Sequence, residues 1–200
     1  MMKTNHLRTG LMLILACSLS ACFKSNPPVK SERYSLPEVQ TSAGVTQDKS
    51  ASKTVVLNKI QLADYLDSDR IVVQLDDITL HPARDHLWVD NLSQELRRGL
   101  RSRLSSRLAD TAVVDPLPGA PLKATSLQLT IDQFHGQMQG YAVLSGQWQL
   151  ISADRTPLQH QSFKFSTPLR ESGYPALVRA LGSNLDLLSE QIAAQIQRMP

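Results

Sequence analysis

Leucine recurs at every fourth position through Leu92, Leu96, Leu100, Leu104 and Leu108, and only a helix gathers such a row onto one side. A step of four advances about 40° around the helix, so the stripe spirals slowly and stays broad. A second row, Leu177, Leu181, Leu185, Leu188, Ile192 and Ile196, has the same periodicity. Asp90-Asn91 can cap the first helix, and Pro175 opens the second where its missing amide proton costs nothing. Two apolar stripes need a common surface to cover.

Three segments between the stripes supply it. Leu127, Leu129 and Ile131 alternate with Gln128, Thr130 and Asp132. After a turn from Gly136 to Gly140, Ala142, Leu144, Trp148 and Leu150 share one side, and Phe163 and Phe165 alternate with Ser162, Lys164 and Ser166. Clean alternation predicts strands with one covered face. Earlier, Val55, Leu57 and Ile60 suggest a strand. Ile71, Val73 and Leu75 suggest another, continued by Ile78 and Leu80 beyond a break at Asp76-Asp77. Thr111 to Val114 reads as a short strand before the turn Asp115-Pro116-Leu117-Pro118-Gly119. The expected fold is α+β: an antiparallel β-sheet with two amphipathic helices packed on one face, as a single domain over 54–200.

The N-terminus sets the expected address. Lys3 and Arg8 precede the apolar run Leu11–Cys17, which is too short for a bilayer core needing about 20 apolar residues. The run closes in Leu19-Ser20-Ala21-Cys22, which looks like the lipobox of bacterial lipoproteins. Residues 1–21 are therefore expected to be a lipoprotein signal peptide, and Cys22 the lipid-attachment residue. The Cys22 thiol is the one nucleophile there able to form a thioether to a diacylglycerol. Several acyl chains hold a protein stably at a membrane. Phe23 follows the cysteine where an aspartate would resemble an inner-membrane retention signal, which favours the outer membrane, facing the periplasm. Residues 22–53, rich in Ser, Thr, Pro, Lys and Gln, read as a flexible tether, with Tyr34-Ser35-Leu36-Pro37 as an apolar island able to dock on the domain.

Loss of Lys3 and Arg8 reduces the 21 basic residues to 19 against 18 acidic ones, so charge gives no case for a nucleic-acid partner. Cys17 leaves with the signal and Cys22 is blocked, so no disulfide and no thiolate metal site is expected.

The catalytic inventory is thin. No G-x-S-x-G elbow is present, and Ser145-Gly146 lies inside an alternating strand. His81, Asp85 and His86 are the best metal candidates, read as a loop cluster, yet the histidine spacing is wrong for helical ligands and no third ligand is evident. Asp76-Asp77 reads as a turn or bulge rather than an acid–base pair, and Asp132 and His135 as the solvent side and start of a hairpin. No metal, cofactor or enzymatic activity is expected. Arg97, Arg98, Arg101, Arg103 and Arg107 could attract anionic lipid or an acidic partner; a solvated face partly neutralised by Asp90, Glu95 and Asp110 is the favoured reading.

Several segments together resemble the paraquat-inducible protein C family of ABC-type transport auxiliary lipoproteins. Tyr34-Ser35-Leu36-Pro37 is similar to its Y-x-L-P start, and Leu62-Ala63-Asp64-Tyr65-Leu66 to its P-x-Y-L motif, with Ala63 in place of proline. His86-Leu87-Trp88-Val89-Asp90-Asn91-Leu92 resembles its approach to the first helix, and Phe134-His135-Gly136 through Ser145-Gly146-Gln147-Trp148 its F-x-G…S-G-x-W hairpin. Gly173-Tyr174 and the ending Met199-Pro200 fit its terminus. The resemblance implies a non-catalytic subunit of an intermembrane lipid-transport system. It implies a mammalian-cell-entry (MCE) domain tunnel protein and its inner-membrane partner as partners, and a homo-oligomeric ring at the outer membrane. It also points to Asp64, Tyr65, Leu66 and Trp88 as partner or oligomer contacts. An assembly lipoprotein of another envelope export or secretion complex would look alike.

Overall fold

Short strands precede a long one, and the chain uses that order to build its sheet. The computed structural model describes residues 30–38, 51–116 and 124–199. Its strands are β1 (Glu32–Tyr34), β2 (Lys53–Leu57), β3 (Gln61–Leu62), β4 (Arg70–Gln74), β5 (Leu80–Trp88), β6 (Thr111–Val114), β7 (Thr125–Gln137), β8 (Tyr141–Ile151) and β9 (Pro157–Pro168). The helices are α1 (Leu92–Arg107) and α2 (Tyr174–Gln197), and a 3-10 turn spans Asp64–Leu66.

The α+β class and single domain stand, with both helices on one side of one sheet. That sheet is mixed rather than purely antiparallel. Alternation reports which face is covered, and a parallel strand covered on one face alternates as an antiparallel one does, because successive side chains point to opposite faces in both. β7 pairs antiparallel with β8, and β8 with β9, as expected. Along its other edge β7 takes β2, β3 and β4 end to end, all parallel, at Val55↔Thr125, Gln61↔Thr130 and Val73↔Gly136. Residues 53–74 thus run as one interrupted strand beside β7. β6 joins the outer edge of β2, also parallel; β5 pairs antiparallel with β4, and β1 runs parallel to β5.

The β4–β5 connection departs from expectation. Ile78 and Leu80 do not prolong the strand, because the Asp76 carboxylate accepts from the amides of Ile78 (3.0 Å) and Thr79 (2.8 Å) and closes a reverse turn. β4 buries Ile71 and Val72, while Leu75 lies beyond its end and is exposed.

The core forms as the stripes predict. Leu92, Leu96, Leu100 and Leu104 of α1 and Leu177, Leu181, Leu185, Leu188, Ile192 and Ile196 of α2 are all buried over the sheet. Facing them are the cross-strand pairs Leu127↔Leu150, Leu129↔Trp148 and Phe134↔Leu144. Asn91 caps α1, its side-chain oxygen accepting from the Ser93 amide at 2.9 Å. Where β7 bulges between Ile131 and Gln133, Gly146 lies opposite. A Cβ there would meet the Thr130 carbonyl oxygen at 2.1 Å, so only glycine lets the two backbones approach.

Part of the segment read as tether is built into the domain. β1 hydrogen-bonds to the open edge of β5, and Leu36 enters the core. The signal peptide, Cys22 and the turn at 117–119 lie outside the described residues.

Candidate interaction surfaces

Beside the leucine row of α1 runs a second row with the same spacing, Glu95, Gly99 and Arg103. Glu95 and Arg103 are each 2% exposed. The Glu95 carboxylate accepts from Ser35 Oγ (3.1 Å), the Leu36 amide (3.3 Å) and the Arg98 guanidinium. It stands in the first turn of α1, where the helix dipole favours a carboxylate. Arg103 donates to Asp186 Oδ1 of α2 (2.6 Å), the Pro37 carbonyl (3.0 Å) and the Gly99 carbonyl (3.2 Å). A Cβ on Gly99 would approach Leu185 Cδ2 at 3.0 Å, and one on Gly182 would meet Pro37 Cδ at 2.9 Å. The two glycines are therefore notches into which α2 and the Ser35-Leu36-Pro37 segment fit.

This corrects the view of the arginine row as solvent only. Arg98 does reach the surface, pairing with Asp90 there and with the buried Glu95 beneath, and Arg97 and Arg101 pair with Asp115. Arg103 is a buried clasp holding α1, α2 and the N-terminal segment together. An interior Gly99 in a helix otherwise rich in Leu and Arg was the available signal, since such a glycine weakens a helix unless something must come close.

His81, Asp85 and His86 lie on β5, not in a loop. Successive strand residues point to opposite faces, so Asp85 and His86 diverge. No group of three metal-ligating side chains forms among the described residues. His86 instead stacks on Tyr174, ring centroids 3.8 Å apart, and bonds the Tyr34 hydroxyl through Nδ1 at 3.1 Å. Burial, reinforced by the neighbouring Glu32 carboxylate, pushes the Tyr34 hydroxyl up to about 12. This aromatic group pins β1 rather than offering ligands.

The four residues carried over from the family motifs separate into two kinds. Asp64 is exposed and Tyr65 half-buried on the 3-10 turn, with the Tyr65 hydroxyl donating to the Asp132 carbonyl at 3.0 Å. Leu66 and Trp88 are core residues; Trp88 packs on Phe134 at 5.9 Å. They seat the turn and β5 from below, which leaves Asp64 and Tyr65 as the surface members.

The sheet face away from the helices is amide-rich. Gln149 donates to Gln128 (2.8 Å), Ser145 to Gln133 (2.9 Å) and Gln137 to Gln74 (3.0 Å). A groove of about 510 Å³ lies over this face, lined by residues including Asn58, Gln61, Thr130, Gln147 and His160. His135 is the exception on this side. It is buried beside Tyr65, ring centroids 6.3 Å apart, and does not mark a solvent-facing hairpin start. Burial, with the Lys164 charge adding, holds its pKa below the usual histidine value. The folded chain therefore keeps it neutral while the unfolded chain takes up a proton below about 6.5. Its stabilising contribution is complete above that pH and is lost as pH falls toward the lower folded value. Urea midpoints for wild type and His135→Gln should diverge in slope between pH 7.5 and 5.5. Equal slopes would refute the assignment.

Among the described residues the polar groups are spread over a sheet face, a turn and helix flanks. The sequence profile of the ABC-type transport auxiliary lipoprotein component matches residues 34–193, and the chain belongs to that family. It is 27% identical over 195 residues to the intermembrane transport lipoprotein PqiC of Escherichia coli, covering 97% of this chain and 100% of the relative. A crystal structure of an uncharacterized protein superposes with TM-score 0.73 at 26% identity, covering 84% of this chain and 99% of that one. A Xanthomonas campestris protein shares the fold at TM-score 0.61 and 16% identity, covering 85% and 92%.

Proposed function

We propose that this chain is a non-catalytic, acylated subunit of an MCE-type intermembrane lipid-transport system, anchored through Cys22 at the outer membrane and facing the periplasm. There it forms a homo-oligomeric ring that docks the end of the periplasm-spanning MCE tunnel protein, itself completed by an inner-membrane partner. The family match over residues 34–193 carries the reading. The resemblance to a lipobox at Leu19–Cys22 and the similarity to an intermembrane transport lipoprotein of Escherichia coli support it. No helix among the described residues is long and apolar enough to cross a membrane. The proposed acyl chains on Cys22 would supply the attachment. Asp64 and Tyr65 are the proposed contact residues, seated by Leu66 and Trp88.

A crosslinked pull-down from membranes with a C-terminally tagged chain tests the partner. Recovery of an MCE-domain protein is expected. A different envelope complex, with none recovered at saturating crosslinker, would move the function to an assembly lipoprotein of that complex. Cys22→Ala should stay unprocessed or soluble and fail to complement a deletion; full activity with normal membrane retention would refute the anchor.

A further inference from the structure

The turns joining β4 to β5 and β7 to β8 lie side by side at one end of the sheet. Gln74 stands opposite both Leu80 and Gln137, and the Met138 amide donates to the Gln74 carbonyl at 3.0 Å. Five large apolar side chains are left facing water there: Leu75, Ile78, Leu80, Met138 and Tyr141. Ile78 is 87% exposed and Met138 64%. The Asp76 carboxylate, bonded to two amides of the turn, fixes the backbone that presents Ile78, so the residue is displayed by a formed turn. Single exposed apolar residues need no explanation, but five on two adjacent tips form a patch that marks a binding surface.

The direction of β1 indicates what covers it. β1 runs parallel to β5 and therefore away from the tips, so the chain reaches Glu32 from the tip side. Glu32 aligns with His86, six positions along β5 from Leu80, which places it no more than about 20 Å from the tip level at strand rise. Cys22 stands ten positions before Glu32, a reach of up to about 35 Å. An acyl group on Cys22 can therefore enter a bilayer lying against the tips with chain to spare.

We infer that the paired tips Leu75–Leu80 and Met138–Tyr141 are a second membrane contact, dipping apolar side chains into the headgroup region of a phospholipid surface. The inference rests on the reading of Cys22 as the lipid anchor. Asp76 and Asp77 sit on the same tip and repel anionic headgroups, so the surface is a zwitterionic one. The acyl chains supply affinity; the tips set the orientation of the domain, turning the opposite end of the sheet away from the bilayer.

The mature full-length chain has no other free thiol under this reading, so Ile78→Cys can carry an environment-sensitive fluorophore. Leu158→Cys, exposed at the far end of the sheet on β9, is the matched control. Acylated protein is reconstituted into phosphatidylethanolamine–phosphatidylcholine vesicles containing nitroxide-labelled lipid. Quenching at Ile78 should exceed that at Leu158 at least about threefold, as insertion of several ångströms requires. Equal quenching at both positions, or none at Ile78, would overturn the inference. A blue-shifted Ile78 probe without nitroxide quenching would overturn it too, assigning the patch to a protein occupant. Intact mass reports acylation separately. If Cys22 proves unmodified, the same chain is held on nickel-chelating lipid by a histidine tag replacing residues 1–22, and the same quenching ratio decides.

Discussion

Gly146→Ala should destabilise the domain by at least about 3 kcal/mol, enough that the protein fails to accumulate. The added Cβ would lie 2.1 Å from the Thr130 carbonyl oxygen and 3.1 Å from Ile131 Cα. Both obstacles are backbone, and both belong to β7 beside its bulge, so no side chain can swing aside. Relief requires β7 and β8 to part where the register shifts between Ile131 and Gln133. That would weaken hydrogen bonds worth about 1 kcal/mol each and open the core beneath Leu129 and Trp148. Ser145→Ala is the neighbouring control: it removes only the 2.9 Å bond to Gln133, and a loss near 1 kcal/mol is expected. Urea midpoints of the two variants decide the matter, and a Gly146→Ala midpoint close to that of Ser145→Ala would show that the strands yield more easily than their geometry implies.

Arg103→Met is expected to cost about 2 to 3 kcal/mol, concentrated in the N-terminal segment. Methionine fills much of the volume but leaves the Pro37 carbonyl and Asp186 without their donor. The Asp186 side chain is 48% exposed and can recover water, which holds the loss below that of a fully buried pair. Residues 31–38 should then open locally while the helices persist. Hydrogen exchange reads this directly at the Leu36 amide, bonded to Glu95, and at the Val89 amide, bonded to the Tyr34 carbonyl. Arg103→Lys should give an intermediate result, keeping the charge toward Asp186 but losing the planar fork that reaches three partners. Unchanged protection at Leu36 in Arg103→Met would sink the clasp.

The parts of this fold legible in the sequence are those set by periodicity. Leu92 to Leu104 and Leu177 to Ile196 could only be helical faces, and Leu127 to Ile131 with Ala142 to Leu150 could only be strands covered on one side. Strand direction was not legible, because Val55 and Thr125 carry the same side-chain signal whichever way they pair. Nor was burial within the charged row: Glu95 and Arg103 look like Arg97 and Arg98 until the positions of Leu36, Pro37 and Asp186 are known. Family motifs ordered the elements correctly but did not say which motif residues face outward. Leu66 and Trp88 belong to the core, while Asp64 stands at the surface. His135 escaped for a similar reason, since the Tyr65 that covers it comes from seventy positions earlier in the chain.

The placement of three early strands along one late strand has a consequence in time. β2, β3 and β4 are all made before β7, and Val55 pairs with Thr125 seventy positions onward. Until β7 appears, these strands lack their shared template, and closing such long loops slows any two-state domain. The first half of the chain can pair β4 with β5 but cannot assemble the sheet. For a protein whose proposed route crosses a membrane as an extended thread, that delay is useful: β7 begins only at Thr125, so until then the early parallel strands have no template on which to assemble.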